Sequence, residues 1–545
     1  MKRYCTMTFP LLMAILAADA SADQHLSQAA LQEALMQESL MQDASQHCDE
    51  LAQLRSVDTN AALNDLYQRL AYVPLWHEPA QLRELQTQLR NLADDGLNPE
   101  DYAYALQATA PNDACEELRI SAQYLLALEH LSRGRLDQAE FETVWHADSL
   151  PSFTPVDLAL GDSIAASFDR ARPAFPQYQA LRAAYAAMDK NPLDQALIAS
   201  GPLLRPGMND ERIEQISRQL QAHGFISEAA SSGQYDEQQV QAVQRFQVNH
   251  GLSADGIIGP QTLQALNTSP RYRVQQVQIN LERLRWINAH RSDYLLLVNI
   301  ASGHLQLMQG NTIVWQARAQ TGRASRPTPA LVSTINRITL NPSWTIPPTI
   351  LRHDVLPQIR RDPEYLASHG MLTLNAQGEP IDPAQVDWRN PRGLVLRQPP
   401  GPTNPLGQLV FRLPNPFSIY LHDTPSQHLF AQSNRNVSSG CVRVEQALGL
   451  AEHLLASLPD ARRQLIAEQL ASGLTHEVAL ADGPQVILAY WTAFANDEGK
   501  AAFVPDIYGR DTSLIAAMTS PLSKPEIEIA NTRIDAEAGC AFSEA

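Results

Sequence analysis

The spacing of the apolar residues changes near residue 293, and this change constrains the fold more than any other feature. Before it, apolar side chains recur every three or four residues, as in LNDLYQRLAYVPLWHEPAQLRELQTQLRNL (residues 63–92), which predicts helices. After it they alternate, as in DYLLLVNIASGHLQLMQGNTIVWQARAQTG (residues 293–322), which predicts strands joined at two glycine-containing turns. The fold class is therefore α+β, with helices first and a mainly antiparallel β domain after them.

The length of 545 residues allows about three domains, each with its own core. Shifts in pattern predict the boundaries, and short helices that end at glycines mark the second segment. The predicted segments are a helical scaffold at 23–204, a compact three-helix module at 205–270, a linker helix at 271–292, the β domain at 293–512 and a C-terminal tail at 513–545, which ends in the polar stretch IDAEAGCAFSEA.

A long insertion interrupts the β domain. Residues 350–405 are rich in proline and glycine and contain one short helical piece. Such a stretch is uncommon inside a β domain unless it covers or binds something. We therefore expect a lid, and a lid over a reaction centre would exclude water from it.

The first 22 residues predict a secretory signal peptide. Lys2 and Arg3 precede an apolar run, and small residues at 20–22 form a cleavage site. The alternative is a membrane anchor, but the run is shorter than the roughly 20 residues that span a bilayer, and no later run is longer. The sequence thus predicts export to the periplasm, with no transmembrane segment after cleavage.

The charge and the cysteines limit the partners. With 41 basic and 59 acidic residues the net charge is −18, which argues against a nucleic-acid partner.

Four cysteines follow the signal, at 48, 115, 441 and 540, and no pair has the spacing of a zinc site. In an oxidising compartment Cys48 and Cys115 could form a disulfide, whereas Cys540 lies in the polar tail.

Cys441 lies in VSSGCVRVEQ (residues 437–446), and it could be a nucleophile, half of a disulfide or a small buried side chain. As a nucleophile it would need a lowered pKa and donors for an oxyanion. A helix expected to begin near Val444 would lower the thiol pKa through its dipole. Gly440 would let the backbone turn tightly enough to aim amides at a substrate oxygen.

A histidine near Cys441 is the natural candidate for a general base. Alternation in SIYLHD places Tyr420 and His422 on the strand face opposite Leu421, so that His422 can face a cleft. His428 lies in a polar loop five residues past Asp423. Because strands position side chains better than loops do, His422 is preferred.

The segment HDTPSQHLFAQSNRNVSSGCVRV (residues 422–444) resembles the active-site motif of the L,D-transpeptidases. In that motif a histidine precedes a small residue, glycine, cysteine, any residue and arginine by a fixed interval. Here the interval is 19 residues and begins at His422, not at His428. Many members have histidine directly before the Gly-Cys pair. With Ser439 at this position, the sequence is similar to the large periplasmic branch of the family, whose members also carry a helical scaffold and a peptidoglycan-binding module.

Residues 205–270 resemble the peptidoglycan-binding domain of many cell-wall enzymes, and further segments match the periplasmic branch. The first resemblance implies a role in binding glycan, or in positioning the neighbouring domain. The residues that carry it are Val243, Phe246, Gln247, Gly251, Leu252, Asp255, Gly256, Ile258, Gly259 and Thr262. The further matches are ERLRW (282–286), NPSWTIPPTI (341–350), GPTNPLG (401–407) and NDEGKAAFVPDIYGRD (496–511).

The resemblance implies roles for the residues of the catalytic motif. Cys441 matches the family nucleophile and His422 its general base and acid, oriented through a backbone carbonyl near Asp423. Gly440 and Cys441 would supply the amides of the oxyanion hole. No metal or cofactor is required by this chemistry.

The remaining candidates would bind substrate. Arg443 is placed to hold a substrate carboxylate, for which its bidentate fork is suited, and the alternative is an ion pair with Glu445 or another local acid. Tyr420, Ser439 and Asp423 are further pocket candidates, although the Asp423 side chain could be incidental. Trp344 and Trp388 either line the cleft or pack in a core.

The implied function is cysteine-dependent L,D-transpeptidation. Tetrapeptide stems of peptidoglycan would act as donor and acceptor, a thioester acyl-enzyme would form with release of D-Ala, and the product would be a 3→3 cross-link. Carbapenem-type β-lactams would acylate the cysteine. Alternatives on the same site are L,D-carboxypeptidase activity and D-amino-acid exchange. A non-catalytic wall-binding scaffold is a further alternative, as is a secreted cysteine peptidase, for which no papain-type set of His and Asn is apparent.

Overall fold

The computed structural model describes residues 26–40, 48, 51–142, 145–146, 153–229, 232–288, 290 and 292–522. The predicted signal peptide, the C-terminal residues 523–545 and Cys540 lie outside these residues.

The N-terminal part is helical, as the three-to-four-residue spacing predicts. Its core packs around Trp76, Tyr124 and Phe168, which are buried and contact one another edge to face or at a tilt. A disulfide joins Cys48 to Cys115, a pairing that the sequence allowed but left open. The elements are α1 (Gln28–Leu40), α2 (Thr59–Arg69), α3 (Pro79–Asn91), α4 (Ala103–Gln107), α5 (Ala114–Arg133), α6 (Gln138–Phe141), strand β1 (Trp145–His146), α7 (Pro155–Ala159), α8 (Ile164–Ala171) and α9 (Pro176–Ala186).

The predicted three-helix module consists of α10 (Arg212–Ala222), α11 (Glu237–Asn249) and α12 (Pro260–Leu266). Asp236 caps α11 in a capping box with Gln239, which satisfies free amides at the helix start. Gly251 follows the end of α11 with a φ of +64°, a conformation that favours glycine. The module has its own apolar core around Phe246.

Helix α13 (Pro270–Asn288) is the predicted linker helix, and it is buried rather than exposed. The expected apolar stripe, which includes Val277 and Leu281, packs against α9 and the β domain. Two charged pairs are buried beside it: Arg285 binds Glu282 at 2.6 Å, and Arg283 binds Asp511 at 2.7 Å. The first pair lies within the ERLRW segment, and the second joins this segment to Asp511 at the end of the predicted β domain; both are shielded from water.

The β domain is built on a large curled sheet, mostly antiparallel. Its strands are β2 (Tyr294–Asn299), β3 (His304–Gln309), β4 (Thr312–Gly322), β5 (Ala330–Thr334), β6 (Arg337–Leu340), β7 (Trp344–Thr345), β8 (Leu372–Asn375), β9 (Leu394–Gln398), β10 (Leu409–Arg412), β11 (Leu421–His422), β12 (Asn436–Ser438), β13 (Val442–Val444), β14 (His476–Ala479), β15 (Gln485–Ala489), β16 (Ala493–Ala495) and β17 (Ala501–Phe503). The order in the large sheet is β1-β5-β15-β2-β3-β4-β13-β11-β10-β6-β14, with β12 beside β4. One apolar core contains side chains from both ends of this order, so the sheet wraps around it.

The insertion forms a small folded unit. Strands β7, β9 and β8 make a separate sheet, and the helices are α14 (Pro348–Ile350), a π-helical turn (Leu351–Val355), α15 (Leu356–Arg361) and α16 (Tyr365–Ser368). Trp344 and Trp388 pack against its apolar core. The sequence predicted the helical piece but missed strands β8 and β9, because they are short and lie between turns.

Helices α17 (Ala447–Leu455) and α18 (Asp460–Ala471) confirm the predicted helices that follow the cysteine motif. Helix α19 (Asp511–Thr519) packs on α13. The predicted boundary between the β domain and the C-terminal tail, at residue 513, therefore falls inside a helix whose Leu514 and Met518 are buried against α13.

The α+β class is confirmed, with a helical N-terminal region and a mostly antiparallel sheet. Among the described helices none has the length and apolar character needed to cross a bilayer.

Candidate active site

Two adjacent strands bring the predicted site residues together. Strand β11 pairs in parallel with β13, with Leu421 opposite Val442 and His422 opposite Arg443. Paired residues share a face of the sheet, and so do residues two apart along a strand. The side chains of Tyr420, His422, Cys441 and Arg443 therefore lie on one face. Val442 and Leu421 point the other way, into the core.

Cys441 precedes a strand, not a helix. Strand β13 begins directly after it, and helix α17 begins only at Ala447. The prediction that a helix near Val444 lowers the thiol pKa is therefore wrong, because the dipole acts only near the first turn of a helix.

Burial, not a helix dipole, has the largest effect on the pKa of the Cys441 thiol. It raises the pKa of Cys441 above its ordinary value of 9.0. Hydrogen bonds from the backbone N–H and the hydroxyl of Tyr420 act in the opposite direction, as do the charges of Arg412 and Arg443, but they do not outweigh burial. At neutral pH the group is a thiol.

His422 is also buried, with 5% of its surface exposed. Burial, and then the nearby Arg443 charge, lower its pKa to about 3, although the hydrogen bond to the Asp423 carbonyl opposes this shift. The ring is therefore neutral at pH 7. Its Nδ1 lies 2.6 Å from the Asp423 carbonyl oxygen, which can only accept, so Nδ1 carries the proton and Nε2 is free to act as a base.

The resting pair is thus a thiol and a neutral imidazole, not a thiolate and an imidazolium. A proton must leave the sulfur when the sulfur attacks, and a neutral ring on the same face can take it.

Gly440 adopts a φ of +116°, which favours glycine at this turn. Its N–H donates to Ser438 Oγ at 3.1 Å, and its carbonyl accepts from Thr328 Oγ1 at 2.8 Å. The expectation that the Gly440 amide points at a substrate oxygen is therefore not met in this conformation, because that amide is already bonded within the turn.

Arg443 is partly buried and does not pair with Glu445. Glu445 instead accepts from Arg318 Nε at 2.8 Å, so the predicted alternative role for Arg443 is wrong. Arg443 donates to Gln320 Oε1 at 3.0 Å, and in the described part of the chain no acidic side chain lies within 4.0 Å of it. Its Nε and the Nε2 of Gln320 are buried without a partner among the described residues. Unpartnered donors around a buried cation favour an anionic ligand.

The other predicted pocket residues have structural partners. The Asp423 carboxylate accepts hydrogen bonds from the backbone N–H of Gln408 at 2.9 Å and from the side-chain amide of Gln427. These two bonds stabilise the loop. Ser439 Oγ accepts from Arg323 at 3.1 Å and from Arg326 at 3.0 Å. His428 is exposed in a short 3₁₀-helix and is not on the shared face.

Sequence reasoning missed several charged residues around Cys441. Arg412 lies over the Tyr420 ring, at 5.1 Å from its centroid. Arg323 and Arg326 lie in the loop after β4 and bind Asp354 of the insertion. Two arginines in the turn-rich segment TGRASRPTP were the signal that could have drawn attention to this loop.

A cavity of about 2350 Å³ lies away from these residues. It is bounded by the three-helix module, strand β3 and the β16–β17 hairpin, and none of the site residues above lines it. Among the described residues no group of three or more histidine, cysteine or acidic side chains is arranged to hold a metal ion.

Three family models match separate segments of the chain. Residues 293–469 match an L,D-transpeptidase catalytic domain of YkuD type, residues 61–184 match a scaffold domain, and residues 209–266 match a domain described as "Putative peptidoglycan binding domain".

Curated relatives match parts of the chain. A Haemophilus influenzae protein named "Putative L,D-transpeptidase" is 34% identical over 306 residues, which is 52% of this chain and 61% of the relative. An N-acetylmuramoyl-L-alanine amidase of Bacillus licheniformis is 33% identical over 73 residues, 13% of this chain and 20% of the relative. The chain thus spans under two thirds of the length of these relatives.

A solved structure of an L,D-transpeptidase from Stackebrandtia nassauensis matches at 12% identity over 52% of this chain and 94% of that one, with a TM-score of 0.20.

Proposed function

We propose that this chain, whose segments match a YkuD-type L,D-transpeptidase catalytic domain, a scaffold domain and a peptidoglycan-binding domain, is an L,D-transpeptidase that forms 3→3 cross-links between peptidoglycan stem peptides. The single observation that carries this proposal is the pairing of β11 with β13, which sets His422 and Arg443 beside Cys441 on one face.

The first half of the reaction forms a thioester. Cys441 Sγ attacks the carbonyl carbon of the third-position diaminopimelate of a tetrapeptide, and His422 Nε2 takes the thiol proton. The tetrahedral intermediate then collapses, the bond to D-Ala breaks, and the protonated ring gives its proton to the departing nitrogen. The neutral state of His422 supports this order, because a ring that already carried a proton could not accept another.

The second half transfers the acyl group. An amine from a neighbouring stem peptide loses a proton to His422 and attacks the thioester carbon, which releases Cys441 as a thiol and leaves an amide cross-link. Water in place of the amine would give L,D-carboxypeptidase activity. A folded lid with its own core supports transfer over hydrolysis, because water competes for the thioester.

The cellular setting follows from the same proposal. The substrate lies outside the cytoplasm, and the disulfide between Cys48 and Cys115 supports an oxidising compartment such as the periplasm.

Incubation of the protein with disaccharide-tetrapeptide, followed by mass spectrometry, tests the proposal. We expect a cross-linked dimer that has lost one D-Ala. A tripeptide product alone would replace the proposal with carboxypeptidase activity, and the absence of any product would favour a non-catalytic scaffold.

Arg443 is expected to bind a carboxylate of the donor stem. Arg443→Gln should lower kcat/KM for the tetrapeptide by about tenfold to a hundredfold, since hydrogen bonds to charged groups contribute about 1.5–3 kcal/mol. Initial rates of dimer formation measure this. Arg337→Gln is the matched control, because Arg337 forms a half-exposed pair with Glu477 on the same sheet. Equal effects of both substitutions would rule out a substrate contact for Arg443.

A further inference from the structure

The lid places a carboxylate beside the nucleophile's loop. Asp354 belongs to the π-helical turn of the insertion, and its two oxygens meet the two terminal nitrogens of Arg326, one contact measuring 3.3 Å. Arg323 lies 3.6 Å from the same carboxylate. This two-point contact is the geometry in which arginine recognises carboxylates.

The two arginines are tied to the turn that precedes Cys441. Both donate to Ser439 Oγ, and the Arg323 N–H donates to the Ser438 carbonyl at 3.1 Å. The Thr328 hydroxyl donates to the Gly440 carbonyl in the same turn. Whatever occupies the arginines therefore lies beside the turn that leads into Cys441.

Positively charged side chains outnumber negatively charged ones near the turn that contains Cys441. Arg323, Arg326, Arg412 and Arg443 surround the site, and in the described part of the chain Asp354 is the acid that pairs with any of them within 4.0 Å. The Arg323 Nε is buried without a partner among the described residues. An anionic substrate would balance this excess of positive charge.

We propose that Arg323 and Arg326 form a second substrate-carboxylate subsite, which Asp354 of the lid occupies until a substrate carboxylate displaces it. This inference rests on the proposed function, whose stem-peptide donor carries more than one carboxylate, so that Arg443 takes one and the arginine pair takes another. Asp354 has 38% of its side chain exposed, and half-exposed ion pairs are weak enough to exchange.

A pair of matched reagents tests the subsite without any stem peptide. Iodoacetate carries a carboxylate, and iodoacetamide is its neutral counterpart of similar size. Both alkylate a thiol and release iodide. The measurement is the ratio of their rate constants at Cys441, followed in the full chain by mass spectrometry of the peptide that contains it. Cys441→Ala defines the background.

Asp354→Asn should raise the ratio of iodoacetate to iodoacetamide by about threefold, because the arginines become free for the reagent's carboxylate. Adding Arg326→Gln to that variant should return the ratio to the wild-type value or below it. Glu364→Gln is the matched control, an exposed carboxylate of the same insertion, and should leave the ratio unchanged. Thermal melting of each variant shows that it is folded.

Two results would overturn the inference. If Asp354→Asn raised both alkylation rates equally, the lid would merely restrict access to the thiol. An unchanged ratio would mean that Asp354 does not compete with an anion. The alkylation assay measures no acyl transfer, so it tests the subsite separately from the proposed function. A changed ratio without dimer formation would support the subsite and reject the proposed function. Dimer formation with an unchanged ratio would support the proposed function and reject the subsite.

Discussion

Replacement of Cys441 by alanine is expected to lower the rate of dimer formation by about 10⁴-fold or more, because losing the attacking group removes the covalent route altogether. The same variant should gain no mass on exposure to a carbapenem, whereas the wild type should gain one adduct. Product analysis and intact-mass spectrometry measure the two effects.

The control is Cys540→Ala, which removes a cysteine that lies outside the catalytic motif. It should keep wild-type rates and the carbapenem adduct. Cys441 packs at the edge of the apolar core, so melting curves must show that the alanine variant is folded. An adduct that survives in folded Cys441→Ala would refute the assignment of the nucleophile.

His422→Gln should lower kcat by about 10²- to 10⁴-fold, the usual contribution of a general base and acid. His428→Gln is the matched control and should retain activity, since His428 is exposed and lies off the site face. Comparable losses in both variants would argue against a special role for His422.

The pH profile of the wild type belongs to the same prediction. Burial lowers the pKa of His422 to about 3, so the ring stays neutral, and able to accept a proton, at every pH well above that value. We therefore expect kcat/KM to show no fall near pH 6.5 as the pH decreases from 7 to 5. A fall with an apparent pKa near 6.5, absent from His422→Gln, would show that the ring titrates like an exposed histidine.

Ionisation of the Cys441 thiol determines how its reactivity changes at alkaline pH. Because burial raises the pKa of Cys441 above 9.0, the thiolate fraction at neutral pH is small and grows as the pH rises. Alkylation by iodoacetamide should therefore accelerate beyond pH 9. A plateau near pH 7 would indicate a preformed thiolate.

Local sequence pattern determined the secondary structure and the fold class of much of this protein. The period of the apolar residues separates helices from strands because each element buries one face, and that period is written in consecutive residues. The same alternation put Tyr420 and His422 on one side of their strand. Glycines at helix ends and the spacing of the cysteine motif carried the resemblances by which the module and the catalytic segment were predicted.

The tertiary structure alone decided what surrounds the reacting atoms. The pKa of Cys441 depends on burial and on Tyr420, not on a helix, and the partner of Arg443 turned out to be Gln320 instead of Glu445. Asp354 meets Arg326 across 28 residues of chain. Desolvation and charge pairing act through space between residues far apart in sequence, so no local pattern could have assigned them.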